Sequence, residues 1–379
     1  MEFYKINSTN HLRDFIDIGC DEIGAKIMAK KAKLHMLYIK NIHFAAANIL
    51  KQDALSIGAE LVVPQGTIIG QNKYVNAILI GNSKHFEILS KKELIQPFGL
   101  KELAKNLLSF TKENKNNIKI MGVVNINEDS FVSSSRAKST KDALNKIETM
   151  ISDGADIIDI GAASSRPGSD ILEANIELDR VKNLLDEIKK VSLYKKAIFS
   201  IDSFNEKVVD YALNCGFKIA NDITGLSNEN IAKIASSYNA SVVIMHMQGN
   251  QKTMQLDPKY EDVILEIDEF FSSRIQIAQK YNIKEIILDV GIGFGKKLEH
   301  NLKLIKHLDS FRHFGYELLV GASRKSMIND IIPTPIQERL SGTLTLHLEA
   351  IRNGASIIRC HDVKEHFQAI KVLQKLQKI

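Results

Sequence analysis

The sequence predicts an α/β protein: a closed (β/α)8 barrel of the TIM type over residues 116–379, preceded by a small α/β unit over residues 1–115. Three features point to it. From Ile118 onward a short apolar strand, a polar knot and a helix recur about every 30 residues. The strand runs, such as Ile157, Ile158 and Ile160, suit a parallel strand buried on both faces rather than a half-wet hairpin. Eight such units over about 260 residues match a closed barrel better than an open doubly wound sheet, which remains the alternative.

In chain order, the first unit reads as a helix at Leu12–Lys30, an apolar, small-residue helix at Ile42–Ser56, strands at Glu60–Val63 and Ala77–Ile80, and helices at Ser83–Lys92 and Gly99–Phe110. It contains no Gly-rich phosphate loop, metal spacing or carboxylate pair. The charged stretch Thr111–Asn117, nearly free of apolar residues, reads as the linker. The barrel strands are predicted at Ile118–Val124, Asp156–Ile160, Ala197–Ile201, Phe217–Ala220, Ser241–Met245, Glu285–Leu288, Glu317–Val320 and Ser356–Arg359. Helices fall between them, among them Thr140–Ser152, Ile176–Lys190, Asn205–Asn214, Asp262–Tyr281 and Gln337–Asn353, with a last one at Lys364–Gln377.

Composition narrows the function. The 379 residues, 44% hydrophobic, are enough for a sizeable core. The net charge of +5 comes from 50 basic and 45 acidic residues in short clusters, with no basic block and no interleaved aromatic stripe, which argues against a nucleic-acid partner. Cys20, Cys215 and Cys360 are odd in number and widely spaced, so neither a disulfide framework nor a zinc site is indicated. That is a reduced, cytoplasmic pattern. No apolar run approaches the ~20 residues of a membrane span.

In a parallel barrel every strand delivers its carboxyl end to one rim. There the sequence sets Asn125, then Ser165 with Arg166, Asp202, Asn221 with Asp222, His246, Asp289, Ser323 with Arg324 and Lys325, and finally Arg359 with His361. Any one of these could be a turn or cap residue, and Asp202 before Ser203–Glu206 suits a helix N-cap. A whole ring of them at one mouth is hard to explain as fold maintenance, because buried ionisable groups cost free energy unless paired or liganded. Arg166, Arg359, His361 and Asn125 form an anion-binding set, in which the arginine fork suits phosphate oxygens. Asp202, Asn221, Asp289 and Lys325 form a flat hydrogen-bonding set that matches the edge of a planar, amidine-rich heterocycle such as guanine or a pterin.

Eight segments, in order, resemble those of the dihydropteroate synthase family. They are M-G-V-V-N-I-N-E-D-S-F (121–131), G-A-D-I-I-D-I-G-A-A-S-S-R-P-G (154–168), S-I-D-S-F (200–204), N-D-I-T-G (221–225), V-V-I-M-H-M-Q-G-N-Q-K-T-M-Q (242–255), I-L-D-V-G-I-G-F-G-K (287–296), L-L-V-G-A-S-R-K-S (318–326) and I-I-R-C-H-D-V (357–363). The resemblance covers the barrel and leaves the first 115 residues without a role. It implies a folate-pathway transferase of the sulfonamide-target class that joins 6-hydroxymethyl-7,8-dihydropterin diphosphate to p-aminobenzoate, releasing pyrophosphate. It further implies that Asp202, Asn221, Asp289 and Lys325 bind the pterin. Asn125, Arg359 and His361 would hold the diphosphate with Mg2+, Asn125 touching the metal. Ser165, Arg166, Phe294, Ser323 and the stem of Lys325 would complete the p-aminobenzoate site. Asp202, Lys325, Arg359 and His361 would carry the chemistry, in a cytoplasmic homodimer.

Two loops depart from the family pattern. Asn127 and Glu128 stand where Thr-Pro is usual, Ala162 and Ala163 where Gly-Glu is usual, and Ser165 replaces Thr. Asp129, Ser130, Arg166 and Pro167 are kept, so altered loop closure is expected rather than lost activity. Two other readings are a pterin-dependent methyltransferase, which would need a corrinoid partner, and a non-catalytic pterin-binding paralogue. The S-S-R-P-G and S-R-K-S loops and the retained anion set count against them.

Overall fold

The computed structural model describes residues 1, 3–4, 11–111, 117–126, 133–162 and 172–377, with residues 133–139 described as backbone only. Ser165 and Arg166, the substituted positions Asn127, Glu128 and Ala163, and most of the predicted linker lie outside the described residues. The chain divides near residue 115 into two compact units.

In the first unit, helices α1 (His11–Asp17), α2 (Glu22–Ala32), α3 (Phe44–Leu55), α4 (Ser83–Lys92) and α5 (Leu100–Leu107) accompany an antiparallel sheet of β1 (Leu34–His43), β2 (Glu60–Val62) and β3 (Tyr74–Asn82) in the order β1-β3-β2. Leu50, Leu61, Leu79, Phe86 and Leu89 form its core. Two expectations are corrected here. The helix expected over Leu12–Lys30 is two helices, broken where Gly19 takes φ 93° and Asp21 caps α2 by accepting from the Gly24 N–H at 2.8 Å. The helix expected from Ile42 starts at Phe44, because Ile42 and His43 end β1, a strand the sequence reading lacked. That strand carries apolar residues on both faces: Leu37, Ile39 and Ile42 pack on the core, whereas Leu34, Met36 and Tyr38 are exposed. It has no clean alternation to read.

The second unit is a closed barrel of eight parallel strands: β4 (Lys119–Asn125), β5 (Ile157–Gly161), β6 (Ile198–Asp202), β7 (Ile219–Asp222), β8 (Ser241–Met245), β9 (Ile286–Asp289), β10 (Glu317–Val320) and β11 (Ile357–Cys360). Its helices are α6 (Ser133–Ser152), α7 (Ala174–Lys190), α8 (Glu206–Asn214), α9 (Glu229–Ser237), α10 (Val263–Lys280), α11 (Leu298–Lys306), α12 (Ser326–Ile331), α13 (Leu340–Arg352) and α14 (Val363–Leu376). Several begin on side-chain caps that the sequence supplies: Asn205 accepts from Lys207 N–H, Asn228 from Asn230 N–H and Asp262 from Ile264 N–H.

Met121, Ile157, Ile219, Val243, Ile287, Leu319 and Ile357 form one packed apolar layer inside the barrel. Side chains alternate along a strand, so the next inward residue lies two positions on. Advancing two residues from that layer gives Asp159, Asn221, Met245, Asp289 and Arg359, and the register sets Asp202 beside both Gly161 and Asn221. The polar floor of the barrel mouth thus follows from strand periodicity.

Candidate active site

Arg359 is the hub of this floor. Its Nε donates to Asp159 Oδ2 and its Nη2 to Asp202 Oδ2, both at 2.7 Å, and Asn221 Nδ2 donates to the same Asp159 oxygen at 3.1 Å. Four strands are thereby tied into one network. Asp159 is fully buried, Asp202 is 7% exposed and the arginine side chain 21%. Burial works against charge on Arg359, but the carboxylates of Asp159, Asp202 and Asp289 outweigh it and hold the guanidinium charged.

Asp202 is pushed up to about 7, first by burial and then by Asp159 and Glu177, with Arg359 and Lys325 opposing. Burial also raises Asp289, against the Gly291 N–H that donates to its Oδ1 at 2.7 Å and the charges of Arg359, Lys325 and Lys296. Gly291 is required at its position: it takes φ 66°, and a Cβ there would sit 2.0 Å from the His246 carbonyl oxygen.

Next to the carboxylates lies an apolar wall of Ile223, Met245, Met254 and Phe294, with Phe204 and Met247 packed against it. The Lys325 ammonium lies 4.0 Å from the centroid of the Phe294 ring, a close cation–π contact, and its stem passes Gly293. An apolar face and a carboxylate edge thus lie side by side at the barrel mouth. Ser323 joins the end of β10 to the end of β11: its Oγ lies 2.9 Å from His361 Nδ1 and accepts the His361 backbone N–H at 3.3 Å. Burial, then Arg359, lowers His361 to about 4, so its imidazole is neutral at physiological pH. Asn125 ends β4 exposed, its Oδ1 close to Gly161 on the side that also faces Asp202.

The predicted residues Asp202, Asn221, Asp289, Phe294, Ser323, Lys325, Arg359, His361 and Asn125 therefore all sit at the strand ends or in the loops just beyond them. Two rim residues do other work. Asp222 accepts from Thr224 N–H, Thr224 Oγ1 and Leu226 N–H, stabilising the turn after β7. His246 is held by the buried Lys296, whose Nζ also reaches the carbonyls of His246, Gly291 and Phe294 at 2.9–3.1 Å. Burial, then Lys296, pushes His246 down to about 2. The sequence reading missed Asp159 and Lys296. An aspartate inside a strand buried on every side was the available signal for Asp159, since such a carboxylate must have a cationic partner.

Among known proteins, the family model described as pterin binding enzyme matches residues 121–361. The dihydropteroate synthase of Escherichia coli is 39% identical over 257 residues, 67% of this chain and 90% of that protein. A Helicobacter pylori protein named bifunctional dihydropteroate synthase/dihydropteroate reductase is 42% identical over 361 residues, 95% of each chain, and so reaches through the first unit. The Yersinia pestis dihydropteroate synthase, solved with a sulfonamide drug complex, superposes with a TM-score of 0.65 at 34% identity over 69% of this chain and 95% of that one. The Xanthomonas albilineans enzyme, solved with 4-aminobenzoic acid, gives 0.63 at 30% identity over 69% and 94%. The barrel mouth, the family match and these relatives agree: the chain belongs to the pterin-binding enzymes, as a dihydropteroate synthase of folate biosynthesis.

Proposed function

We propose the following division of labour for the condensation of 6-hydroxymethyl-7,8-dihydropterin diphosphate with p-aminobenzoate. The pterin lies at the barrel mouth, its ring N–H and amino groups donating to Asp202 and Asp289, its edge meeting Asn221 and Lys325, and its face on the Phe294 wall. The single observation that carries this assignment is the pairing of two buried carboxylates with an apolar wall at one end of the barrel. Arg359 and His361 take the diphosphate. With Ser323 donating its proton to Nδ1, His361 keeps Nε2–H for an anion. As pyrophosphate leaves, Arg359 and His361 stabilise its charge, and Asp202 stabilises the cation developing on the pterin methylene and ring. The p-aminobenzoate amine then attacks that carbon and loses a proton. Ser323, the Lys325 stem and Phe294 shape its pocket, with Ser165 and Arg166 assigned there by family pattern.

Asn125 presents one exposed side-chain oxygen beside Gly161. Among the described residues no group of three or more His, Cys, Asp or Glu could hold a metal ion. That donor set fits a magnesium ion carried in by the diphosphate, since magnesium favours one or two protein oxygens plus substrate phosphates. Bound there, it would neutralise charge on the departing pyrophosphate. The barrel over 116–379 is assigned as the synthase domain of a cytoplasmic homodimer by family likeness. No described helix is long and apolar enough to cross a membrane.

Lys325→Ala should raise KM for both substrates, because one side chain meets the pterin edge and lines the second pocket. Steady-state kinetics with each substrate varied in turn checks this. Near-normal values for both would remove Lys325 from the site.

A second activity, reduction of dihydropteroate, is supported by the H. pylori relative, whose match spans the first unit as well as the barrel. The full chain supplied with dihydropteroate and a hydride donor, a reduced nicotinamide or a reduced flavin, should form tetrahydropteroate. Chromatography showing only unchanged dihydropteroate with both donors would confine the chain to the synthase reaction.

A further inference from the structure

Behind the site, the loops after β10 and β11 are joined by a buried chain of hydrogen bonds that substrate assignments leave unused. The Ala322 N–H donates to His347 Nε2 at 2.9 Å, His347 Nδ1 lies 2.8 Å from His366 Nε2, and His366 Nδ1 lies 2.5 Å from the Asp362 carbonyl oxygen. The end groups fix the protons. A backbone N–H can only donate, so His347 Nε2 is the acceptor and its proton sits on Nδ1. His366 Nε2 must then accept, and its own proton sits on Nδ1 facing the carbonyl, which can only accept. Both rings are 1% exposed, and burial holds both below the ordinary histidine range.

One turn earlier on the same face of α13, Thr343 Oγ1 accepts the Arg324 N–H at 3.0 Å. Arg324 takes φ 56°, a left-handed conformation that a long side chain adopts at a cost. Its guanidinium forks onto Asp362 through Nε at 3.1 Å and Nη2 at 2.5 Å. The strained residue lies between Ser323 and Lys325. It is held by Thr343 on α13, by Asp362, the residue after His361, and by Arg339 just before α13, whose Nη1 donates to the Arg324 carbonyl oxygen at 3.2 Å.

We propose that His347 and His366 are positioning residues for the synthase: they relay the placement of the β11 loop to the β10 loop, so that Ser323, Lys325 and His361 face the substrates together. This rests on the assignment of those three residues to substrate.

The test uses the full chain in two arms. In 15N-labelled wild-type protein, long-range 1H–15N spectra of the imidazoles should show His347 and His366 both protonated at Nδ1. A proton on Nε2 of either ring overturns the relay, whether or not the chain is an active synthase. In kinetics, His347→Leu should raise KM for p-aminobenzoate and for the pterin diphosphate about tenfold, with a smaller fall in kcat, and His347→Gln, which can accept from Ala322, should recover most of it. KM values unchanged in both variants, with only their melting temperatures lowered, would reduce the pair to core packing. If His347→Leu does not fold, the spectra and His347→Gln decide.

Discussion

Replacing Asp202 by asparagine is expected to lower kcat about 10²- to 10³-fold, the cost of removing one preorganised group at the site of developing charge. The amide keeps the shape and a hydrogen bond but cannot offset a cation. The same residue sets a pH signature. Burial, reinforced by Asp159 and Glu177, pushes Asp202 up to about 7, so below that pH its carboxyl is protonated and neutral. Wild-type kcat/KM should therefore fall as pH drops through about 7, and Asp202→Asn should lack that limb. Burial lowers His361 to about 4, so it titrates too low to account for the fall. An Asp202→Asn variant that retained both the limb and the rate would remove the carboxylate from the chemistry.

Arg359→Ala should damage both folding and anion binding. It leaves Asp159, which is fully buried, with only Asn221 on the shared oxygen, and leaves Asp202 without its ion-pair partner. Breaking a buried ion pair by removing one partner costs about 3–5 kcal/mol. The loss has a pH sign. Without Arg359 the buried Asp202 carboxyl titrates higher in the folded chain than in the unfolded one, so the folded state binds more protons and is hurt less at pH 5 than at pH 8. Arg359→Lys restores charge but not the fork that spans Asp159 and Asp202, and should recover only part of the stability. Urea unfolding at the two pH values, with pyrophosphate calorimetry, checks both effects. Unchanged stability together with unchanged pyrophosphate affinity would contradict the role given to the hub.

The barrel was legible because its strands are apolar on both faces and its turns polar, so the eight-fold repeat shows through. The rim residues were legible for a related reason: a polar residue at the end of such a strand has nowhere to go but the mouth. Asp159 escaped because it sits within the strand, where the two-residue period, not the strand end, places it inward. Lys296, His347 and His366 escaped because their partners lie up to 50 residues away and are mostly backbone carbonyls and amides, which sequence spacing does not encode. In the first unit, β1 was hidden by apolar residues on its exposed face.

In the proposed mechanism the ring of strand-end residues around Arg359 joins a pterin diphosphate to an arylamine. Purified full chain supplied with 6-hydroxymethyl-7,8-dihydropterin diphosphate, p-aminobenzoate and magnesium should release pyrophosphate and 7,8-dihydropteroate in equal amounts, with Asp202→Asn far slower. No product, or pyrophosphate released without dihydropteroate, would contradict it.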